Sequence, residues 1–347
     1  SLSLIKSFSI IVFNDKIEEQ KTSLKSKFQL PYLRIPGWEN IERNDIVVFN
    51  QPADTLLDMN DFTPDRNYYK PIDKKTNLVK RCVAIAGDTL EIRNGYVYIN
   101  GIQNELPDRA RLQFSYKVTL KPGKTFERRI IEQLKTRYDI TDGIYASGNE
   151  IIIPAASNEA VKLFKNHPSI ATITRYIKPD GQADIGLFPQ DPSYDWNRDF
   201  FGPLYIPEEG KTMALNLKNL PVYKRLITEY EGNTISTKGN QIFINGELTE
   251  SYTFKQNYYW MMGDNRHNSI DARAWGFVPF NHVVGKPVFI WMSWNTNGKG
   301  FNKIRWDRVF TTVHPDGERT SYLIPFLVVL LGWFGYRKWR KIKAAKA

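Results

Sequence analysis

Eleven consecutive residues, Gly263-Asp264-Asn265-Arg266-His267-Asn268-Ser269-Ile270-Asp271-Ala272-Arg273, contain two Asp, two Arg and a Ser. They follow Tyr258-Tyr259-Trp260-Met261-Met262 and precede Trp275-Gly276-Phe277-Val278-Pro279, two runs apolar enough to be buried. Charges pressed between core segments are tolerated only when paired and hydrogen-bonded. Arg is the natural partner, because its planar fork binds a carboxylate bidentately. The residues alone leave two readings open: an ion-pair network under a surface loop, or the support of a reactive polar site. Two neighbouring carboxylates could also suggest an acid dyad, but nearby arginines keep carboxylates ionised and argue against one. A second candidate is Lys80. Alternation along a strand puts it on one face with Leu78, Cys82 and Ala84, all apolar, while Arg81 points the other way with Val79 and Val83. A free lysine has a pKa of about 10.4. Burial lowers that value, because desolvation penalises the charged form. By itself this pattern favours a strand lysine that snorkels to water, since lysine is rarely fully buried.

The pattern Gly-Asp-Asn-Arg-x-x-Ser-x-Asp-x-Arg resembles the last motif of bacterial signal peptidase I, the Ser/Lys serine endopeptidase that removes signal peptides. Lys80-Arg81-Cys82-Val83-Ala84-Ile85-Ala86-Gly87-Asp88 resembles the family's lysine motif, Lys-Arg, five intervening residues, then Gly-Asp. Asn44-Asp45-Ile46-Val47-Val48-Phe49 resembles its Gly-Asp-Ile-Val-Val-Phe strand, with Asn replacing Gly. The three motifs stand in family order and cover roughly residues 33–105 and 232–295. The resemblance implies that Lys80 is the general base and that Ser269 hydrogen-bonds its amine. It implies supporting roles for Arg81, for Asp264 and Arg266 at the start of the loop, and for Asp271 and Arg273 as a salt bridge. Substrate would add as an extended strand beside Asn77-Leu78-Val79, with Leu78, Val79 and Ala84 lining shallow pockets for small side chains. The implied partners are signal peptides of exported preproteins and the lipid bilayer. The implied place is the bacterial inner membrane, with the catalytic domain on the outer, periplasmic face.

The family nucleophile lies in a Ser-Met-x-Pro-Thr segment after an N-terminal membrane anchor, and neither is found in this sequence, which starts at Ser1 without an initiator Met. The expectation is a fragment that begins downstream of the nucleophile and is inert alone. The alternative is a catalytically inactive, membrane-tethered pseudo-protease that binds exported chains.

Other classes recede on composition. Cys82 is the sole cysteine, so neither an intrachain disulfide nor a Cys-based zinc site is available. The histidines, at 167, 267, 282 and 314, are scattered. No metal, cofactor or Ser-His-Asp triad is expected, and His267 reads as a solvated loop histidine. The net charge of +11 is no sign of nucleic acid, because no basic run interleaves with aromatics in a binding motif. Part of the excess sits in Arg337, Lys338, Arg340, Lys341, Lys343 and Lys346.

Around the motifs the chain reads as mainly β: an antiparallel β-sheet catalytic domain of signal peptidase type with an α+β insert and a C-terminal transmembrane helix. The expected segments are 1–106 and 231–310 for the catalytic domain, 107–230 for the insert, 321–336 for the membrane helix and 337–347 for a basic cytoplasmic tail. The apolar, uncharged run at 321–336 followed by basic residues is a stop-transfer pattern. Within the insert, helices are predicted near 124–137, 157–166 and 216–230, the middle one capped by Ser157. A repeat also stands out. Gly87-Asp88-Thr89-Leu90-Glu91-Ile92 and Val97-Tyr98-Ile99-Asn100-Gly101 are echoed by Gly232-Asn233-Thr234-Ile235 and Ile242-Phe243-Ile244-Asn245-Gly246. Each copy has turn residues between two β-rich runs, which predicts two similar hairpins.

Overall fold

The computed structural model describes residues 9–10, 33–34, 37, 39–54, 70–125, 145–295, 298, 300–313, 316–317 and 320–344. In chain order the elements used below are β1 (Ile46–Asn50), β2 (Asn77–Ala84), β3 (Thr89–Arg93), β4 (Tyr96–Ile99), β5 (Gln113–Leu120), β6 (Tyr145–Ser147) and β7 (Glu150–Ser157). Then come α1 (Asn158–Lys165), β8 (Ile170–Arg175), β9 (Phe201–Tyr205), α2 (Leu220–Arg225), β10 (Ile235–Lys238) and β11 (Gln241–Ile244). The last are β12 (Tyr258–Met262), α3 (Ala272–Trp275), β13 (Val278–Pro279), β14 (Val283–Gly285) and α4 (Leu323–Ala344).

The site rests on a five-stranded antiparallel sheet in the order β13-β12-β2-β1-β14. β12 reads Tyr-Tyr-Trp-Met-Met and is buried at every position, so both of its faces are covered. Val47, Phe49, Cys82, Val83 and Ala84 share its core. Burying each large apolar side chain contributes about 1.5–3 kcal/mol, which makes this sheet the rigid floor of the site. The register sets Val47 opposite Lys80 and Met262 opposite Arg81. The chain leaving β12 therefore enters the charged loop directly beside the Lys80-Arg81 pair.

Two motif residues explain themselves through the backbone. Asn44, standing where the family has Gly, has φ 71°, a left-handed conformation that Asn tolerates better than most side chains. Asp88, closing the lysine motif, accepts from the Ile85 N–H at 2.9 Å and from Arg43 Nε at 2.8 Å, which locks the turn after β2.

The internal repeat is present in atomic detail. β3 and β4 pair around Asn94-Gly95 (φ 52° and 76°), the positive-φ pair that a two-residue hairpin turn demands. β10 and β11 also pair as a two-residue hairpin, around Gly239-Asn240, but there only Gly239 (φ 59°) has positive φ. Asn100 and Asn245 both have φ 52°, and each side-chain oxygen accepts from a threonine N–H, Thr89 or Thr234, at 2.9 Å.

Residues 107–230 divide between two packing environments. β8-β5-β7-β6 form a four-stranded sheet, whose small core joins Phe114, Val118, Leu120, Ile151 and Ile153 to Ala160 and Phe164 of α1. The Ser157 hydroxyl caps α1, accepting from the Ala160 N–H at 3.3 Å. The later stretch, with Phe188, Phe201, Leu204, Ile206, Val222 and Tyr223, packs into the main core. The helix expected at 216–230 begins at Leu220, where Pro221 occupies the first turn, and continues as a wider π-type turn through Tyr230. Most of the helix expected at 124–137 lies outside the described residues.

The membrane-spanning helix expected at 321–336 is corrected by α4. No helix among the described residues is long and apolar enough to cross a membrane. α4 runs for 22 residues, and its last turns carry Arg337, Lys338, Arg340, Lys341 and Lys343. The apolar part, Leu323 to Tyr336, spans about 21 Å at a rise of about 1.5 Å per residue, against a hydrocarbon core of about 30 Å.

Candidate active site

Lys80 Nζ lies 2.8 Å from Ser269 Oγ, a contact between residues 189 positions apart. Lys80 is half-buried near the middle of β2, and Ser269 is buried. Burial holds the Lys80 pKa below the ordinary lysine value, the Asp271 carboxylate opposes that shift, and the Arg273 cation adds to it. Gly263 makes the close approach possible. A Cβ at this position would stand 2.2 Å from Ser269 Oγ, 2.7 Å from Ser269 Cβ and 3.6 Å from Lys80 Nζ. Its backbone does not need the left-handed region, so the glycine answers to space alone.

A buried ion pair holds the loop. Arg273 grips Asp271 bidentately, Nε to Oδ1 at 2.9 Å and Nη2 to Oδ2 at 2.8 Å. Asp271 also accepts from the N–H of Gly263 at 3.0 Å and of Arg273 at 3.2 Å, the latter as the N-cap of α3. Burial alone would push the Asp271 carboxyl up, but the Arg273 cation and these hydrogen bonds outweigh it and hold the carboxyl below its ordinary range. Arg273 Nη2 further donates to the Arg266 carbonyl at 2.5 Å.

At the start of the loop Asp264 and Arg266 take separate partners. Asp264 pairs with Arg81, Nε to Oδ1 at 2.8 Å and Nη2 to Oδ2 at 2.6 Å, because the β2–β12 register brings Arg81 beside it. Arg81 Nη1 also donates to the Asn44 carbonyl at 2.8 Å, so one guanidinium ties three motifs together. Arg266 instead turns beneath the loop and is 2% exposed, with Nη1 3.8 Å from Met262 Sδ. Burial, reinforced by Arg273, brings its pKa down to about 10.

Beside Lys80 the sheet has an edge that no described strand occupies. Asn77 to Lys80 pair with β1 on one side, whereas β12 reaches only Arg81 to Ala84 on the other. Among the described residues no strand pairs with that second edge of Asn77–Lys80. Val79 is exposed there and Leu78 is half-buried, while Ala84 is fully buried opposite Trp260. Among the described residues no cluster of His, Cys, Asp or Glu could hold a metal ion.

The model of the family described as signal peptidase, peptidase S26, matches residues 4–146 and 248–294, more than half of the chain. The chain belongs to this family. It is similar to signal peptidase I of Buchnera aphidicola from Acyrthosiphon pisum, at 62% identity over 11% of this chain and 12% of that protein. It is similar to signal peptidase I of Haemophilus influenzae, at 38% identity over 20% of each chain, and of Leptolyngbya laminosa, at 26% identity over 45% of this chain and 81% of that protein. The chain spans about a third or less of the length of the first curated relatives it matches. The matched segments of this S26 chain contain Lys80 and Ser269, whose side chains meet, and exclude 147–247.

Contacts to the loop from outside these motifs escaped the sequence reading. The Gln113 N–H donates to the Asp264 carbonyl at 2.9 Å, and the Gln113 carbonyl accepts from the Arg266 N–H at 2.8 Å. Phe188 N–H donates to the Arg273 carbonyl at 2.8 Å. Arg198 Nη1 lies 3.1 Å from the Ser269 carbonyl and 3.4 Å from that of His267. His267 is not the solvated residue expected. Its side chain is 11% exposed, its Nδ1 accepts from the Ser115 N–H at 3.1 Å, and its Nε2 meets Asp199 Oδ1 at 3.0 Å. An acceptor at Nδ1 places the neutral ring's proton on Nε2, so His267 donates to Asp199. Local patterning offers no signal for these contacts, because most use backbone atoms and residues distant in sequence.

Proposed function

We propose that this chain carries the general-base side of a Ser/Lys signal peptidase that cuts signal peptides from exported preproteins. The observation behind this reading is the 2.8 Å contact between Lys80 and Ser269, beside a lysine whose burial favours the free amine. The reading places the nucleophilic serine in a Ser-Met-x-Pro-Thr segment outside this sequence. Neutral Lys80 takes the proton of that serine as its oxygen attacks the scissile carbonyl carbon. The resulting ammonium gives the proton to the leaving amine. The free amine then takes a proton from water as the water oxygen attacks the acyl carbon, and the ammonium returns that proton to the serine oxygen as it leaves. Ser269 orients the amine throughout, and Asp271, Arg273, Asp264 and Arg81 hold the loop and strand that carry the pair.

Substrate adds as an extended strand to that edge at Asn77–Lys80, with Leu78 and Val79 offered to its side chains. Ala84 lies too deep for that contact. The same reading sets the catalytic domain against the bilayer on the outer face of the bacterial inner membrane, where exported chains emerge. The test joins a Ser-Met-x-Pro-Thr segment to the N-terminal side of this chain and follows cleavage of a secretory precursor. Cleavage after a small residue is expected, rising with pH to a midpoint below 10.5, the ordinary lysine value. Lys80→Ala should abolish it. Turnover by the folded Lys80→Ala variant at the wild-type rate would end this assignment.

A further inference from the structure

The Ser269 loop is gripped from a stretch outside the family match, and the grip falls on the backbone of Ser269 itself. Arg198 Nη1 reaches two carbonyls of that loop, His267 at 3.4 Å and Ser269 at 3.1 Å. No carboxylate among the described residues forms a salt bridge with Arg198, which is half-buried. Its Nη1 goes to peptide oxygens instead.

The base of Arg198 is itself fixed. Its N–H donates to Asp184 Oδ2 at 3.1 Å, and its carbonyl accepts from Arg273 Nη1 at 3.4 Å. Asn197, fully buried, accepts from the N–H of Asp199 and of Phe200 at 2.9 Å and donates to the carbonyls of Pro179 and Gln182. Asp199 in turn accepts from His267 Nε2. Three consecutive residues thus form a rigid bracket along the outer side of the loop. The Asp271–Arg273 pair fixes the loop after Ser269, and the bracket fixes it from His267 to Ser269.

We propose that Arg198 is a positioning residue of the Lys80–Ser269 pair. By holding the Ser269 carbonyl it keeps the Ser269 hydroxyl on the Lys80 amine. This rests on the reading of Lys80 as the general base. Removing the Arg198 cation also acts on Lys80 through charge, so the shift is measured again in a Ser269→Ala background, where a response carried by the Ser269 hydroxyl disappears and one carried by charge persists. Only a response of Lys80 that vanishes in that background reports displacement of the loop.

The test uses the 347-residue chain and needs no turnover. Competitive acetylation of its lysines across pH, read by mass spectrometry of the Lys80 peptide, gives the midpoint at which Lys80 becomes a free amine. Near-UV circular dichroism verifies the fold of each variant. Arg198→Ala should raise the Lys80 midpoint by about half a pH unit, which lowers the free-amine fraction about threefold at a pH below the midpoint. Arg198→Lys keeps one donor group and should return most of that shift. A folded Arg198→Ala protein with an unmoved Lys80 midpoint overturns the proposal. If Arg198→Ala does not fold, Arg198→Lys decides: a smaller rise supports the proposal, and an unchanged midpoint overturns it. A wild-type Lys80 that titrates like the exposed lysines would instead reject the general-base reading, so the two failures are distinguishable.

Discussion

Replacing Gly263 by Ala adds one methyl group at the tightest point of the site. The new Cβ would sit 2.7 Å from Ser269 Cβ and 2.2 Å from its Oγ. Carbon atoms settle at about 3.5–4.0 Å, so Ser269 must withdraw by about 1 Å. Lys80 stands 3.6 Å from the added atom and can remain. If the hydroxyl retreats along the present 2.8 Å contact, the pair opens to about 3.8 Å, beyond hydrogen-bond range. A misplacement of about 1 Å in a catalytic group can cost about 100-fold in rate, or about 2.7 kcal/mol. Overpacking of this kind costs about 1–3 kcal/mol in stability, which leaves the protein folded. The assay is kcat/KM for precursor cleavage in the protein carrying the Ser-Met-x-Pro-Thr segment, with thermal unfolding alongside. Gly263→Ala should lose about two orders of magnitude with a modest fall in Tm. Adding Ser269→Gly removes the opposing side chain and should restore Tm without restoring rate. Wild-type turnover by a folded Gly263→Ala protein would refute the argument that Ser269 must touch Lys80.

Two further outcomes follow from buried groups. Arg273→Ala leaves the fully buried Asp271 carboxylate without its partner and should cost about 3–5 kcal/mol by denaturant unfolding, with Asp271→Asn recovering part of the loss. Because the folded Asp271 pKa lies below its unfolded value, the pair's stabilisation is present above about pH 4 and is lost as pH falls through the folded pKa. The wild type should therefore show an acid-side loss of stability that Arg273→Ala lacks, and identical acid slopes would count against the pair. Cys82 is fully buried, and burial, with Asp45 and Asp88 nearby, pushes its thiol well above the ordinary value. An aromatic disulfide reagent at pH 8 should find no reactive thiol in the native protein and one after denaturation. Fast reaction in the native protein would mean that β2 opens.

The elements at the centre of the site were legible because short-range rules act there without competition. Alternation on β2, the apolar block of β12 and the turn glycines of the two hairpins each predict what forms. The Asp271–Arg273 pair was implied by the family resemblance, and the structure has it as a bidentate contact. The partner of Asp264 was harder, since Arg81 and Arg266 compete and the strand register decides, which no local pattern encodes. His267 was misread because its burial depends on Ser115 and Asp199, which lie 152 and 68 positions away. The membrane helix was misread for a different reason. An apolar run beside a basic tail meets the pattern, but the apolar part of α4 falls short of the required length.

The division of labour around Ser269 follows from these geometries. The sheet can fix Lys80, because β2 is paired along β1 and buried at its far end, but it cannot fix Ser269, which lies beyond the end of β12. A loop there must be immobilised by polar contacts, and every one that reaches a buried backbone atom needs a donor with a fixed origin. Asp271 and Arg273 supply this from within the loop itself. Arg198, Asp199, Phe188, Gln113 and Ser115 supply it from residues 107–230. That stretch touches the loop at Asp264, Arg266, His267, Ser269 and Arg273. Substitutions in the bracket should therefore act on Lys80 through Ser269 and leave the strand that carries Lys80 in place.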